Sequence, residues 1–302
     1  MRSITRIAPD VGWLPISFVN VYFIGRAGGP WVLIDSGLPG RASQILAAAA
    51  ARFGATEKPE AILLTHGHFD HAGSAGDLAD AWDVPIYAHP LELPYLTGRS
   101  PYPPPDPTVG GAIAFLSRFM PSGSYAFGDR VRPLKSKELP GLPDWECMAT
   151  PGHSPGHVSF FRAAVRVLLA GDAFATMDMD SWPGLVTGKQ VLARAGAPFN
   201  CDWEATRESV RALEKLRPNV AGCGHGIPMT DAALAGRLER FAARFRGPRH
   251  GRYVRRAART DERGIVSLPR APFDPVPFAT AASLLVAGVA LGAGYFDDKR
   301  RR

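Results

Sequence analysis

The sequence predicts an α/β fold. Three observations carry that expectation. Short apolar runs recur along the chain, stretches with helix start and stop signals lie between them, and glycine or proline marks many of the joins. A chain of 302 residues with 46% hydrophobic and 21% charged side chains can bury a sizeable core and has the composition of an ordinary globular protein.

Taken in order, residues 16–36 read as two strands, ISFVNVYFIG and WVLIDSG, joined by a turn at 26–30. Residues 41–53 read as a helix stopped by Gly54. AILLTH (61–66) is a buried strand that opens into a polar loop; a helix over 74–82 and a strand over 84–89 follow. ECMATPGH, VSFFRA and VRVLLAGD continue the alternation. Helices are expected at 203–217, capped by Asp202, and at 230–245, capped by Thr230 or Asp231.

Two segments stand apart. Residues 94–107 hold six prolines, a density that no strand ladder survives, and lead into an apolar helical stretch at 109–120. The whole of 91–128 therefore reads as a lid-like insertion or a surface excursion. Residues 278–296 carry no charge over nineteen positions and are expected to form an apolar helix, either a membrane anchor or a packed or oligomerising element within a tail of 277–302. Residues 246–276, rich in arginine and proline, read as a linker between a catalytic domain at 1–245 and that tail.

The net charge of +7 is confined to the end of the chain. Of 35 basic and 28 acidic residues, 12 basic and 5 acidic lie in 246–302, which leaves the body neutral and argues against nucleic acid as partner. Three cysteines, none in a CxxC pair, suit a reducing compartment. The first residues lack an apolar signal-peptide core, so a cytoplasmic location is expected, with anchoring through 278–296 as the alternative.

The strongest chemical signal is Thr65-His66-Gly67-His68-Phe69-Asp70-His71. It places four candidate ligands in six residues directly after an apolar strand, with Gly67 as the bend between the first two histidines. One histidine alone is usually a surface or satisfied core residue. Three with an aspartate at this density are costly to bury unless a metal compensates their desolvation.

This HxHxDH motif resembles the signature of the metallo-β-lactamase superfamily. PGHSPGH at 151–157, LAGD ending at Asp172, GHG around His225 and IDSG around Asp35 match its later and earlier motifs in order, over about residues 16–228. The resemblance implies an αββα sandwich with the site at one edge. It implies a first metal held by His66, His68 and His153, a second by Asp70, His71 and His225, Asp172 bridging them, and Asp35 supporting the metal loop from behind. Two divalent ions follow, zinc first, with iron or manganese as alternatives. His157 is expected to make a structural hydrogen bond, Cys223 to be a buried thiol, and His89 and His250 to have no role.

The reaction so implied is hydrolysis of an ester, thioester or lactone by a metal-bridging hydroxide, with Asp70 orienting the nucleophile and helping to protonate the leaving group. The glyoxalase II-like and lactonase-like branches are the nearest in pattern. The tyrosine that lactonases place after the bridging aspartate is missing, and Tyr95, Tyr102 or Tyr125 could stand in. The apolar 109–120 stretch suggests a small-molecule substrate with a lipophilic acyl group. A single-iron sulfur dioxygenase on the same fold and a nucleic-acid phosphodiesterase are the alternatives. The sequence leaves the oligomeric state open.

Overall fold

A seven-stranded mixed sheet forms the first half of the molecule. In this computed structural model, which describes residues 3–121, 123–135 and 138–276, its strands run in sequence order: β1 (Thr5–Ala8), β2 (Val11–Ile16), β3 (Val19–Gly25), β4 (Trp31–Ile34), β5 (Ile62–Leu63), β6 (Ile86–Ala88) and β7 (Val131–Pro133). Pairing is antiparallel from β1 to β4 and parallel from β4 to β7. The parallel steps need crossovers, supplied by α1 (Ala42–Phe53), α2 (Ala75–Trp82) and the 91–128 segment. The latter carries α3 (Leu93–Leu96) and α4 (Ala112–Leu116).

The second sheet contains β8 (Glu146–Ala149), β9 (Val158–Arg162) and β10 (Val167–Gly171). A hairpin of β11 (Ala175–Met177) and β12 (Gln190–Ala193), with α5 (Trp182–Thr187) in its loop, and then α6 (Trp203–Lys215) lead to β13 (Val220–Cys223). β13 closes the sheet in parallel beside β10 and is followed by α7 (Leu234–Arg244).

Side-chain alternation along these strands makes the layers. Tyr22, Ile24, Val32 and Ile34 of the first sheet share one cluster with Val158, Phe160, Val167 and Leu169 of the second, so the two sheets pack face to face. On its other face the first sheet sets Val21, Phe23 and Leu33 against Ile45, Phe53 and Leu78 of α1 and α2. The second sets Phe161, Leu168 and Ala170 against Val210, Leu213 and Leu238 of α6 and α7. This is the αββα sandwich, and covering both faces explains why the strands read as apolar runs.

Gly54, at φ 119, ends α1, and Asp202 accepts from the Glu204 and Ala205 amides at the start of α6. Other expectations need correction. The sequence pattern does not predict the opening strands β1 and β2, because Gly12 and Pro15 interrupt it. Helix 109–120 is shorter than expected: Gly110 and Gly111 take positive φ, α4 spans only Ala112–Leu116, and a 3-10 turn at Ser117–Phe119 follows.

Residues 246–270 are not a linker. They belong to the compact unit that ends at Arg270. Tyr253 is buried in the α6–α7 cluster with its hydroxyl donating to Pro104 O at 2.8 Å, and β14 (Arg259–Asp261) and β15 (Gly264–Ser267) form a hairpin. The aromatic and β-branched residues of this stretch found an apolar surface that its arginine content obscured. A second unit begins at Ala271. The apolar helix expected over 278–296 lies outside the described residues. Among the described residues, no helix is long and apolar enough to cross a membrane.

Tyr253→Ala should therefore destabilise the protein by about 3 kcal/mol, the scale of an emptied aromatic core site. Urea denaturation that finds the variant as stable as the wild type would refute the packed role of 246–270.

Candidate metal centre

Each predicted donor sits on a loop that leaves a strand at one edge of the sandwich. His66, His68, Asp70 and His71 follow β5, and His153 lies between β8 and β9. Asp172 follows β10 directly, and His225 follows β13. Strand ends are stiff anchors, and the loops leaving them can turn short polar side chains inward.

The structure brings all seven together. Their donor atoms form three overlapping sets, each with atoms within 4.8 Å of one another: His66, His68 and His153; His66, His71 and Asp172; and Asp70, His71 and His225. Asp172 Oδ2 stands between the sides, 3.3 Å from His153 Nε2, 3.2 Å from His225 Nε2 and 3.6 Å from His71 Nε2. Asp70 Oδ2 is 3.5 Å from His225 Nε2.

Outer partners hold the rings. His71 Nδ1 is 2.8 Å from Asp35 Oδ2, and His66 Nδ1 is 3.0 Å from Thr65 Oγ1, which itself donates to Asp35. His225 Nδ1 donates to Phe18 O at 2.9 Å. With Nδ1 so engaged, each Nε2 faces the centre. Asp35 does this from a left-handed backbone at φ 57, which aspartate adopts more readily than most non-glycine residues. His157 serves the structure, as expected. Its Nε2 accepts from Asp172 N at 2.8 Å, and its Nδ1 faces Thr150 Oγ1 at 2.9 Å.

The donor set fits divalent cations. His66 Nε2, His71 Nε2 and Asp172 Oδ1 are buried without a hydrogen-bond partner. His68 Nδ1 and His153 Nε2 face each other at 3.0 Å. Two imidazole lone pairs so close repel unless a proton or a cation lies between them. Nitrogen and carboxylate donors without thiolate suit zinc, iron or manganese.

Electrostatics divide the centre. Burial and then the neighbouring histidines hold His66 and His68 well below the usual imidazole range. Burial takes His153 down to about 4, with Asp172 opposing it. Burial pulls His71 down as well, but Asp172, Asp35 and Asp70 together outweigh it and raise it well above that range. Asp172 is pushed up by burial and pulled further down by His225, His71 and His153, ending well below the carboxylate range. One side thus offers neutral imidazoles and the other is carboxylate-rich.

Space is equally specific. A Cβ on Gly224 would lie 2.1 Å from Asp172 Oδ1 and 2.5 Å from His71 Cε1. Gly67 has a related role: a Cβ there would meet Tyr102 Oη at 2.3 Å and Leu96 Cδ2 at 2.7 Å. Close approach, more than backbone bending, thus demands this glycine.

Above the donors lies a narrow cleft walled by Phe18, Phe69, Ile113, Met120, Met179 and Phe199. Ile113 and Met120 come from the 91–128 insertion, which therefore builds part of the wall. The insertion's tyrosines do not line the cleft. Tyr102 donates to Glu92, and Tyr125 donates to Phe69 O at 3.3 Å. Cys223 is a buried core thiol outside the donor sets, and His89 caps a turn by accepting from Leu91 N. Sequence reasoning missed Glu92. It is wholly buried and bonded to both donor loops, and its only signal was an acid inside the apolar stretch at 90–96.

A sandwich of this layering with paired histidine–aspartate donor sets at its edge defines a class of metal-dependent enzymes. The family model of the metallo-β-lactamase superfamily matches residues 14–225, and the chain belongs to that superfamily. Within it the chain is a metallo-hydrolase. It is 41% identical over 242 residues to the probable metallo-hydrolase YflN of Bacillus subtilis, covering 79% of this chain and 92% of that protein. It is 30% identical to hydroxyacylglutathione hydrolase of Erwinia tasmaniensis, over 47% of this chain and 42% of the relative. The solved structure of the Rm3 metallo-β-lactamase shares the fold, with a TM-score of 0.53 and 24% identity over 81% of this chain and 84% of its own.

Gly224→Ala should displace Asp172 and His71 and weaken metal binding at least about tenfold, the lower end for disturbed metal-site support. Metal titration of the folded variant checks this; unchanged affinity would refute the close-packing role.

Proposed function

We propose that the protein is a binuclear metal-dependent hydrolase acting on an ester, thioester or lactone with an apolar acyl portion. One observation carries this reading: donor sets that overlap at His66 and His71 lie beneath an apolar cleft, with Asp172 Oδ2 within 3.6 Å of His71, His153 and His225. His66, His68 and His153 would hold one ion, Asp70, His71 and His225 the other, with Asp172 between them. Two divalent cations, zinc first among the candidates, supply an acidified water and a Lewis acid for a carbonyl oxygen.

The chain's own groups do the rest. Asp70 lines the cleft, where its carboxylate can orient the attacking water, take a proton from it and pass that proton to the departing alkoxide or thiolate. Phe18, Phe69, Met179 and Phe199 exclude bulk water and receive the acyl chain, while Ile113 and Met120 close the side formed by the insertion. Apolar walls favour an acyl group over a polyanionic backbone, which sets acyl hydrolysis above phosphodiester cleavage. The partial likeness to a hydroxyacylglutathione hydrolase supports including thioesters.

Metal analysis combined with a panel of apolar esters, thioesters, lactones, a β-lactam and a phosphodiester tests this. Two equivalents of divalent metal and acyl cleavage are expected. His68→Ala and Asp172→Ala should each cost more than the roughly hundredfold seen when outer partners are lost. Phosphodiester cleavage alone, or full activity of metal-free Asp172→Ala, would overturn the reading.

A further inference from the structure

Glu92 lies outside every donor set, yet it is wholly buried and uses both carboxylate oxygens. Oε1 accepts from Ser154 Oγ at 2.8 Å and from Gly156 N at 2.7 Å. Oε2 accepts from Gly67 N at 3.0 Å and from the Tyr102 hydroxyl. One oxygen therefore serves the loop that carries His153, and the other serves the loop that carries His66 and His68. Tyr102 extends the second arm, because its ring stands edge-on to that of His68 with centroids 4.8 Å apart.

The loops are shaped to reach this carboxylate. A Cβ on Gly156 would lie 2.9 Å from Glu92 Cγ, and one on Gly67 would strike Tyr102 Oη. Four donors on four lone-pair sites match an ionised carboxylate, which accepts and does not donate. All four partners are neutral, so the charge is not compensated by any of them. A buried carboxylate in that condition is costly unless positive charge lies near. Divalent ions between the loops it joins would supply that charge.

We propose that Glu92 is a positioning residue that clamps the 66–71 and 151–157 loops together, fixing His66, His68 and His153 in one metal-binding geometry. This rests on the metal reading of the centre. A glutamine at 92 keeps the shape but turns an NH2 toward one pair of donors, so one loop loses its anchor. The change should act on metal binding more than on folding.

The experiment measures metal affinity of the full chain by chelator competition with Zn2+, with the Co2+ absorption spectrum and thermal unfolding of the metal-free protein as companions. Glu92→Gln is expected to weaken metal binding about ten- to hundredfold and alter the Co2+ spectrum, the scale of lost outer-partner support. Tyr102→Phe and Ser154→Ala should each weaken binding less. Their effects should be non-additive when combined, since their hydroxyls meet only through Glu92.

Folded Glu92→Gln with wild-type affinity and spectrum would overturn the proposal and leave the hydrolase reading intact. If Glu92→Gln does not fold, wild-type affinity in both single variants overturns it instead. A wild-type protein that binds neither Zn2+ nor Co2+ would instead remove the hydrolase reading on which it rests.

Discussion

A buried carboxylate among buried imidazoles is the constraint on which this structure depends. Asp172 is almost entirely shielded from water, with His71, His153 and His225 within 3.6 Å of its Oδ2. Removing so many polar groups from water is unfavourable in the absence of strong mutual compensation. In the polypeptide alone that compensation is charge pairing, which holds Asp172 well below the carboxylate range and His71 well above the imidazole range. A divalent cation compensates the same lone pairs more fully, so the energetics of the edge and its chemistry have one origin.

The rest of the fold holds that edge still. Asp35, at the end of β4, ties His71 and Thr65, and Thr65 passes the constraint to His66. Asn20 and Tyr22 of β3 donate to the carbonyl of Cys223, two residues before His225. Those bonds cross from the first sheet to the second. The face-to-face packing of the sheets thereby sets the relative position of donors that lie more than a hundred residues apart in sequence.

Elements outside the sandwich decide what reaches the edge. The insertion contributes Ile113 and Met120 to the cleft wall, while its Tyr102 and Tyr125 hydroxyls are committed elsewhere. The arginine-rich stretch after α7 returns to the body and buries Tyr253. Its Arg252 amide meets Asp106, in the proline-rich loop of the insertion. Chain that reads as connector thus supports the segment that forms the cleft.

The sequence by itself determined the α/β class, most interior strands, the helix stop at Gly54, the helix start at Asp202 and the candidate ligands of the 66–71 cluster, while His153, Asp172, His225 and Asp35 were legible through the resemblance of their short motifs to the superfamily. Those features are local. Apolar runs, caps and the density of HxHxDH need no partner to be legible. Glu92, the Phe18 carbonyl behind His225, the need for Gly224 and the docking of 246–270 were decided only by tertiary structure. Each is a contact between segments remote in the chain, and a lone acid, a backbone oxygen, a glycine or an arginine-rich stretch carries no periodic signal of what it will meet. Packing of the two sheets creates those meetings, and only there do burial and hydrogen bonding give the residues their roles.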